Sequence, residues 1–563
     1  MEHIETMDKA PKNLNTIWLN SALCVYGLLL CQQVFAREPA ITTADSPCRP
    51  LNHQEQTHPS AEWRIGRIKL DVRNIFDTSQ KDQNHRINRL ANRFHIKTRE
   101  EIIKRELLFQ PGDAFDPRVL AETERHLRGF SYIRDAIVTP VSVCGDAVTV
   151  QVTTRDNWTL TPNFSFGRGG GKNRWAVEIE EENFLGLGKN LQIKYRHGID
   201  RTEKILRYID PNLAGSRQRI KLLYQNNSDG HIGEIEWQKP FYSLDSRRAW
   251  GLHLFSHRLD NPLYRNGEIT SEIGQKRQLA EAWLGRSNGF QDGATRRYVI
   301  GFSDDDNRFR ATENYPQQRV PADRHFAYPW VGYEYLQDQF IEKTNLQHMG
   351  RIEDVSLGHH VQARLGWSHV AFGASDSHLV WQADYSKGWQ PNDNQLLLFN
   401  ANVSGFYGNQ VVLDGLASAQ AQWFLFQSRH RSFYIKAATR MGHNLFPERQ
   451  NTLGGENGLR GFPVRYLTAP KNALLTVEQR FYFDWYPYHL VQFGAAVFAD
   501  VATAWGSDDP DENRTVKDIG FGLRLVPTEA ANGKVIHIDF AFPVGGDSDL
   551  SGFQVILEAR KSF

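Results

Sequence analysis

A chain of 563 residues is too long for one ordinary hydrophobic core, so two or more domains or one large barrel are expected. Lys and Arg total 66 against 65 Asp and Glu, a balance that gives no general reason to expect nucleic acid as the partner. A mean hydropathy of -0.53 argues against a bundle of membrane helices.

Lys9 and Lys12 precede the apolar run IWLNSALCVYGLLLC, which is followed by QQVFA and Arg37. A basic flank, a short apolar centre and a small residue at the end read as a secretory signal over residues 1–36, cut after Ala36. The run is shorter than the ~20 residues a spanning helix needs, and the Leu before Cys31 is a poor match to lipoprotein processing. Beyond the signal, the chain is expected to be either a soluble periplasmic protein or a β-barrel, whose alternating strands and polar lumen hide it from hydropathy. Only Cys48 and Cys144 remain in that mature part, a candidate disulfide in an oxidising compartment that sequence alone cannot pair.

Residues 37–62 are polar, contain proline and lack periodicity, which predicts a flexible linker. From 63 to 157 the texture changes. RIGRIKLDVRNIF alternates as a strand; QNHRINRLANRF and TREEIIKRELL have helical spacing, the second with Thr98 and Glu101 as a capping box. PRVLAETERHLRGF opens a helix on proline, and IRDAIVTPVSV and DAVTVQVTTRD read as two more strands. The order predicts a compact α+β domain of about a hundred residues.

Residues 158–563 read as β throughout. NLQIKYR sets Leu191, Ile193 and Tyr195 against Gln192, Lys194 and Arg196; LLTVEQRFYF sets Leu475, Val477, Phe481 and Phe483 against Glu478 and Arg480. Aromatics on one face and charges on the other suit a lipid-facing exterior around a wet interior, although a soluble β-sandwich also alternates. The secretory signal, the length of the β region and the terminal strand FQVILEARKSF, with Phe553, Val555, Leu557, Ala559 and Phe563 on one face, favour a transmembrane antiparallel β-barrel with an even number of strands.

Sites for chemistry are scarce. GRGGGKNR lacks P-loop spacing and reads as a surface turn; His359 and His360 are adjacent and would point to opposite faces of a strand. SDDDNRF and GSDDPDEN lack the ligand spacing of a calcium loop, and no G-x-S-x-G or zinc-hydrolase pair occurs. An enzyme is disfavoured, and neither a metal nor a cofactor is expected.

Taken in order, EENFLGLGKNL, YIDPNLAGSRQRI, KPFYSLDSRRAWG, GENGLRGFPVRY, FADVATAW, IGFGLRLV and IHIDFAF resemble the BamA/TamA family of outer-membrane assembly barrels, which also includes the transporters of two-partner secretion. The resemblance covers nearly the whole mature chain and is least marked from about 260 to 440. It implies that 63–157 is a single periplasmic POTRA-like domain and that the barrel has sixteen strands. It also implies that GENGLRGFPVRY is the sixth external loop, folded back into the lumen so that its arginine meets one acidic residue on each of the two following strands. The matching tip is Arg460-Gly461-Phe462, and the matching acids are Glu478 and Asp500. Strand parity agrees, because Glu478 lies opposite the apolar face of its strand and Asp500 opposite Val497 and Ala499. A buried guanidinium needs such partners. Gly461 is expected to allow a tight turn and Phe462 to supply apolar contact; Ala502 stands where the family usually has glycine.

The same resemblance implies a function. The first barrel strand, NWTLTPNFSFG, contains Pro162, which cannot donate a backbone hydrogen bond, so a weak seam is expected between it and the last strand, which ends at Phe563. In the family such a seam parts and an incoming strand pairs with the exposed edge. The expected partners are the outer-membrane lipid bilayer and unfolded outer-membrane or secreted client polypeptides, with periplasmic chaperones or accessory proteins as further candidates. A two-partner-secretion exporter is the alternative, disfavoured by the single POTRA-like domain and the absence of an amphipathic plug helix in the linker. A passive pore or surface receptor is another.

Overall fold

The computed structural model describes residues 48–52, 62–81, 83–346, 352–485, 487, 491–527, 535–545, 550 and 552–560. The expected signal, residues 37–47 and 53–61 of the expected linker and Phe563 lie outside these residues; within that segment 48–52 is not a flexible linker, because Arg49 and Pro50 pair with Val143 and Ser142 and Leu51 is buried in the core.

Seven elements form the N-terminal module: β1 (Arg49–Pro50), β2 (Arg64–Arg73), α1 (Arg86–Phe94), α2 (Glu100–Glu106), α3 (Pro117–Arg128), β3 (Ile133–Cys144) and β4 (Ala147–Asp156). The strand–helices–strands order is the one read from the sequence. Strands are arranged β1-β3-β4-β2, with β2 parallel to β4 and β3 antiparallel to it. Alternate residues of β4, Val148, Val150 and Val152, are buried against Ile103 of α2 and Leu127 of α3. Helix α3 starts as its sequence dictates, with Pro117 in the first turn and the Asp116 carboxylate accepting from Arg118 N at 2.8 Å. The capping box expected at Thr98 is not made. Arg99 is the N-cap of α2, while Thr98 donates its backbone N–H to Asp156 at 2.7 Å and its hydroxyl accepts from Asn183 at 2.8 Å. Cys48 and Cys144 are both disulfide-bonded, next to the pairs Arg49–Val143 and Pro50–Ser142.

Two buried titratable groups face each other in this module. His95 Nε2 stands 3.8 Å from Asp156 Oδ2, and burial pushes the imidazole down from 6.5 to about 4 and the carboxyl up from 3.8 to about 6. The depressed histidine lowers stability as pH falls through the window from 6.5 to about 4, because the unfolded chain takes the proton first. The raised carboxyl acts in the opposite sense, lowering stability as pH rises from 3.8 to about 6, because the unfolded chain ionises first. The two slopes nearly cancel. The urea midpoint of the module, followed in the full chain by the methyl signals of Ile103 and Ile133, is therefore expected to change little between these limits. His95→Gln should leave a midpoint that falls as pH rises, and Asp156→Asn one that rises; parallel profiles for the two variants would contradict this pairing of opposed shifts.

The barrel wall begins with β5 (Leu160–Gly169), β6 (Lys172–Glu181), β7 (Asn190–His197), β8 (Thr202–Asp210), β9 (Arg219–Asn227) and β10 (Gly230–Lys239). Longer strands follow: β11 (Arg248–Arg265), β12 (Glu268–Gln291), β13 (Ala294–Arg310) and β14 (Arg324–Gln337). A two-stranded hairpin, β15 (Phe340–Thr344) and β16 (Ile352–Ser356), interrupts the wall, which resumes with β17 (His360–Ser368), β18 (His378–Asn392), β19 (Gln395–Gly408), β20 (Val411–Ser428) and β21 (Arg431–His443). A short pair, β22 (Thr452–Leu453) and β23 (Leu467–Thr468), lies in the next connection, and β24 (Lys471–Tyr482), β25 (Val491–Trp505), β26 (Thr515–Pro527), β27 (Val535–Pro543) and β28 (Gln554–Arg560) complete the ring.

These strands make one closed antiparallel barrel of twenty strands, not the expected sixteen. Five wall strands follow the connection 444–470 and fifteen precede it, so GENGLRGFPVRY lies in the eighth connection at the end away from the module, not the sixth. The strand number follows from where tight turns cut the alternating stretches. Asn266-Gly267, Asp292-Gly293 and Asn409-Gln410 each hold positive φ at two consecutive residues, the geometry of two-residue hairpins that continue the strand twist. All three cut the stretch where the family resemblance was least marked.

Parity is regular in the strands on either side of the junction, while register shifts interrupt it in β11–β13 and β18–β21. Val177 and Ile179 of β6 are exposed on the outside while Glu178 and Glu180 are buried; Ile519, Phe521 and Leu523 of β26 are exposed while Asp518 and Arg524 are buried. A soluble double layer would hide the apolar face, whereas this barrel turns it outward. At one end of the barrel the module docks through ion pairs: Arg118–Asp245 at 2.6 Å, Arg125–Asp338 at 2.8 Å and Arg128–Asp354 at 2.7 Å, all from α3.

Candidate functional site: an inserted loop and a short seam

The connection 444–470 enters the lumen. Leu459 and Phe462 are fully buried, and they pack with Leu474, Ala502, Ala504 and Val516 on the inner wall. The methyl of Ala502, at the position where glycine was expected, is part of this cluster and does not obstruct it. Burial of these apolar groups brings Arg460 to the wall with 3 % of its surface exposed.

There the guanidinium is fully engaged. Its Nε and Nη2 donate to the two oxygens of Asp500 at 2.8 and 3.0 Å, and Nη1 donates to Glu478 Oε1 at 2.8 Å. The ring of Phe498 lies beneath it, 3.4 Å from Cζ, and Asp539 Oδ2 stands 3.8 Å from Nη1. Glu478 also accepts from Arg480 Nε at 2.9 Å, so both its oxygens are occupied. A fork-shaped cation placed over a ring and between carboxylates satisfies the pairing that a buried charge demands. Glu478 and Asp500, named from the sequence, are thus brought together with Arg460.

Asp518, Asp539 and Phe498 were not identified from the sequence, and Arg480 was read only as sharing the charged face of Glu478. Asp518 Oδ2 accepts the Gly461 N–H at 2.9 Å. Gly461 is needed for this close approach and not for a left-handed turn: a Cβ there would meet Asp518 Cβ at 2.6 Å, whereas the positive φ belongs to Gly458 at 119°. Asp518 and Asp539 carry the same inward parity as Asp500, and that signal could have found them; what it lacks is which inward residues converge on one point.

The loop's other end holds the first hairpin. Val464 N–H donates to Gly170 O at 3.3 Å, and Gly170 and Gly171 have φ of 55° and 78°. GRGGGKNR is therefore the β5–β6 turn, clamped by the loop. Gly171 N–H in turn donates to Gln554 Oε1 of β28 at 3.1 Å. Arg465 forks onto Asp200 at 2.7 and 3.0 Å, over the Tyr264 ring. Inside the barrel, the loop spans from β24–β26 to the β5–β6 turn, across the junction of last and first strands.

That junction is short. Leu557–Arg168 is the one registered pair between β28 and β5 among the described residues, whereas β5 pairs with β6 from Leu160–Glu181 to Gly169–Lys172. Arg174 and Glu558 add an ion pair at 3.3 Å. Pro162 sits on β5, registered with Ile179 of β6, and offers no N–H to the opposite edge. Phe563 is outside the described residues. Farther round the lumen, beneath the base of the loop, a polar cavity of about 520 Å³ is lined by Asp200, Arg277, Asp305, Arg324, Asp414 and Arg465.

No family model and no curated protein matches the chain. Among solved structures, it is similar to BamA from Haemophilus ducreyi lacking POTRA domains 1–3, at 13% identity over 91% of this chain and 88% of that one, with a TM-score of 0.40. It is also similar to CdiB from Acinetobacter baumannii (12% identity, 91% and 78% covered, TM-score 0.44) and to CdiB from Escherichia coli (10%, 94% and 93%, TM-score 0.32).

Proposed function

We propose that this chain is an outer-membrane barrel that inserts client β-barrels or passes polypeptides, using the β28–β5 seam as an opening edge and the 444–470 loop as its internal brace, with the module in the periplasm. The reading rests chiefly on the contrast at closure: one registered pair at the seam among the described residues, beside a loop that ties the first hairpin to the wall through a buried arginine. A seam so short costs little to part, and parting it presents a strand edge to an incoming chain. The outward apolar face supports residence in a bilayer.

Arg168→Cys with Leu557→Cys tests the seam. The oxidised double variant is expected to lose client delivery, read as depletion of barrels or of a secreted partner from the outer-membrane fraction, and reductant should restore it. Normal delivery by the oxidised form would remove seam opening from the mechanism. Export of a polypeptide through the lumen is kept as a second reading because the polar cavity leaves space beside the inserted loop, and barrel diameter grows with strand number.

A further inference from the structure

Helix α1 of the module is amphipathic in the wrong sense for a soluble domain. A surface helix ordinarily turns its apolar stripe to the core and its polar residues to water. Here Asn88 is fully buried, donating its side-chain amide to Gln83 O at 3.0 Å. Asn92 follows on the same side, accepting from Phe76 N–H at 3.1 Å and donating to Phe76 O at 2.8 Å. The amides thus bind the helix to the module, and the apolar stripe is left outside: Ile87 is 49 % exposed, Leu90 52 % and Phe94 70 %, with Ile96 just beyond at 55 %. Such a stripe is too concentrated to be scattered surface hydrophobicity.

Two further observations say what covers it. The first is position. The segment after α1 is pinned to the β6–β7 turn, where Arg99 N–H donates to Gly186 O at 3.1 Å and a Cβ on Gly186 would meet Lys97 O at 2.6 Å. That turn exposes Phe184 and Leu185, and the strands above it expose Val177, Ile179 and Ile193 on the barrel exterior. The segment that follows α1 therefore sits beside the module end of the outward apolar face of the wall. The second is charge. The helix carries Arg86, Arg89 and Arg93, all exposed, and no acidic residue.

We propose that α1 lies on the bilayer surface at the module end of the barrel, with Ile87, Leu90 and Phe94 sunk among lipid chains and the arginines against anionic headgroups. The inference rests on the membrane-barrel reading above. Apolar residues on one face with basic residues beside them are what an interfacial helix requires, and attraction of cations to anionic lipid adds to the apolar term. The site is one hairpin away from β5, so the anchor lies near the seam.

Nitroxide labels on the full chain test this in nanodiscs of phosphatidylcholine and phosphatidylglycerol, in a background with Cys24→Ser and Cys31→Ser. Labels at Leu90→Cys and Phe94→Cys are expected to collide more with oxygen and less with a nickel chelate than a label at the exposed Lys104→Cys. Ile179→Cys is the control for the wall. Should Ile179→Cys itself be chelate-accessible, the membrane barrel fails and the anchor with it; should it be immersed while both helix labels match Lys104→Cys, the anchor alone is overturned. A label at Ile87→Cys should lose immersion when Phe94→Asp is added. Removing phosphatidylglycerol should shift the helix labels toward water, and equal immersion without it would overturn the anionic-lipid assignment. Protection of the helix labels that arises only when a client polypeptide is added would assign the stripe to protein and overturn the proposal.

Discussion

Arg460→Ala is expected to leave a closed barrel that is assembled in the membrane but inactive. The substitution removes the cation from the buried carboxylate of Asp500 and from one oxygen of Glu478, whose other oxygen keeps Arg480. Deleting one partner of a buried pair costs about 3–5 kcal/mol, because the remaining charge keeps its desolvation penalty. The wall is held by twenty paired strands and can absorb this; the loop tip is held by the arginine, one backbone bond to Asp518 and the Leu459–Phe462 cluster. The loop should therefore leave the wall before the barrel unfolds. Protease added from the far end should cleave within 444–470 in the variant and not in the parent, while both keep the heat-modifiable gel mobility of a folded barrel. Asp500→Arg should have the same effect, and combining it with Arg460→Asp should recover part of the loss. If the loop of Arg460→Ala stays protected and client delivery is normal, the guanidinium is not what holds it.

Gly170→Val is expected to open the barrel from the other end of the same loop. A Cβ at this position would lie 2.0 Å from Val464 N and 2.4 Å from Pro463 C, both backbone atoms that cannot rotate away. The residue also has φ of 55°, where a β-branched side chain is an outlier and the left-handed conformation costs about 1–2 kcal/mol. Clash and strain act together, so the hairpin and the loop must separate, and the Gly171–Gln554 bond across to β28 goes with them. Larger single-channel conductance in planar bilayers is the expected result, with Gly171→Ala as the comparison because a Cβ there meets nothing within 4 Å. Conductance equal in the two variants would mean that the loop does not brace the first hairpin.

The loop tip and its first two carboxylates were readable because three signals agreed: glycine-rich loop composition, period-two parity and the ordered family motifs. Asp518 shared the parity but lies just before the motif IGFGLRLV, and Asp539 lies within IHIDFAF without having been singled out there; alternation states only that a residue points inward, not which inward residues meet. The strand number failed for a related reason. Asn266-Gly267 and Asp292-Gly293 are sequence signals for two-residue hairpins, but Asn409-Gln410 is not, since glutamine at φ of 64° has no compositional warning. Tertiary partners also overrode local pattern at Thr98, where Asp156 and Asn183 took the groups that a capping box would have used. In α1 the period was legible and its direction was not, because Ile87, Leu90 and Phe94 look like core until the amides of Asn88 and Asn92 are seen facing inward.

The wall is not of one height. On the side of the junction, β28 has 7 residues among the described ones, β5 and β6 have 10 each, β7 has 8 and β8 has 9, while β12 has 24. At ~3.3 Å per residue and a tilt near 40°, eight residues rise only about 20 Å, against a hydrocarbon thickness of about 30 Å. Lipid bordering the low side must compress or tilt to keep its tails covered, at a cost of a fraction of a kcal/mol for each ångström of mismatch. A strand leaving the junction would thus enter a bilayer already strained toward its own length.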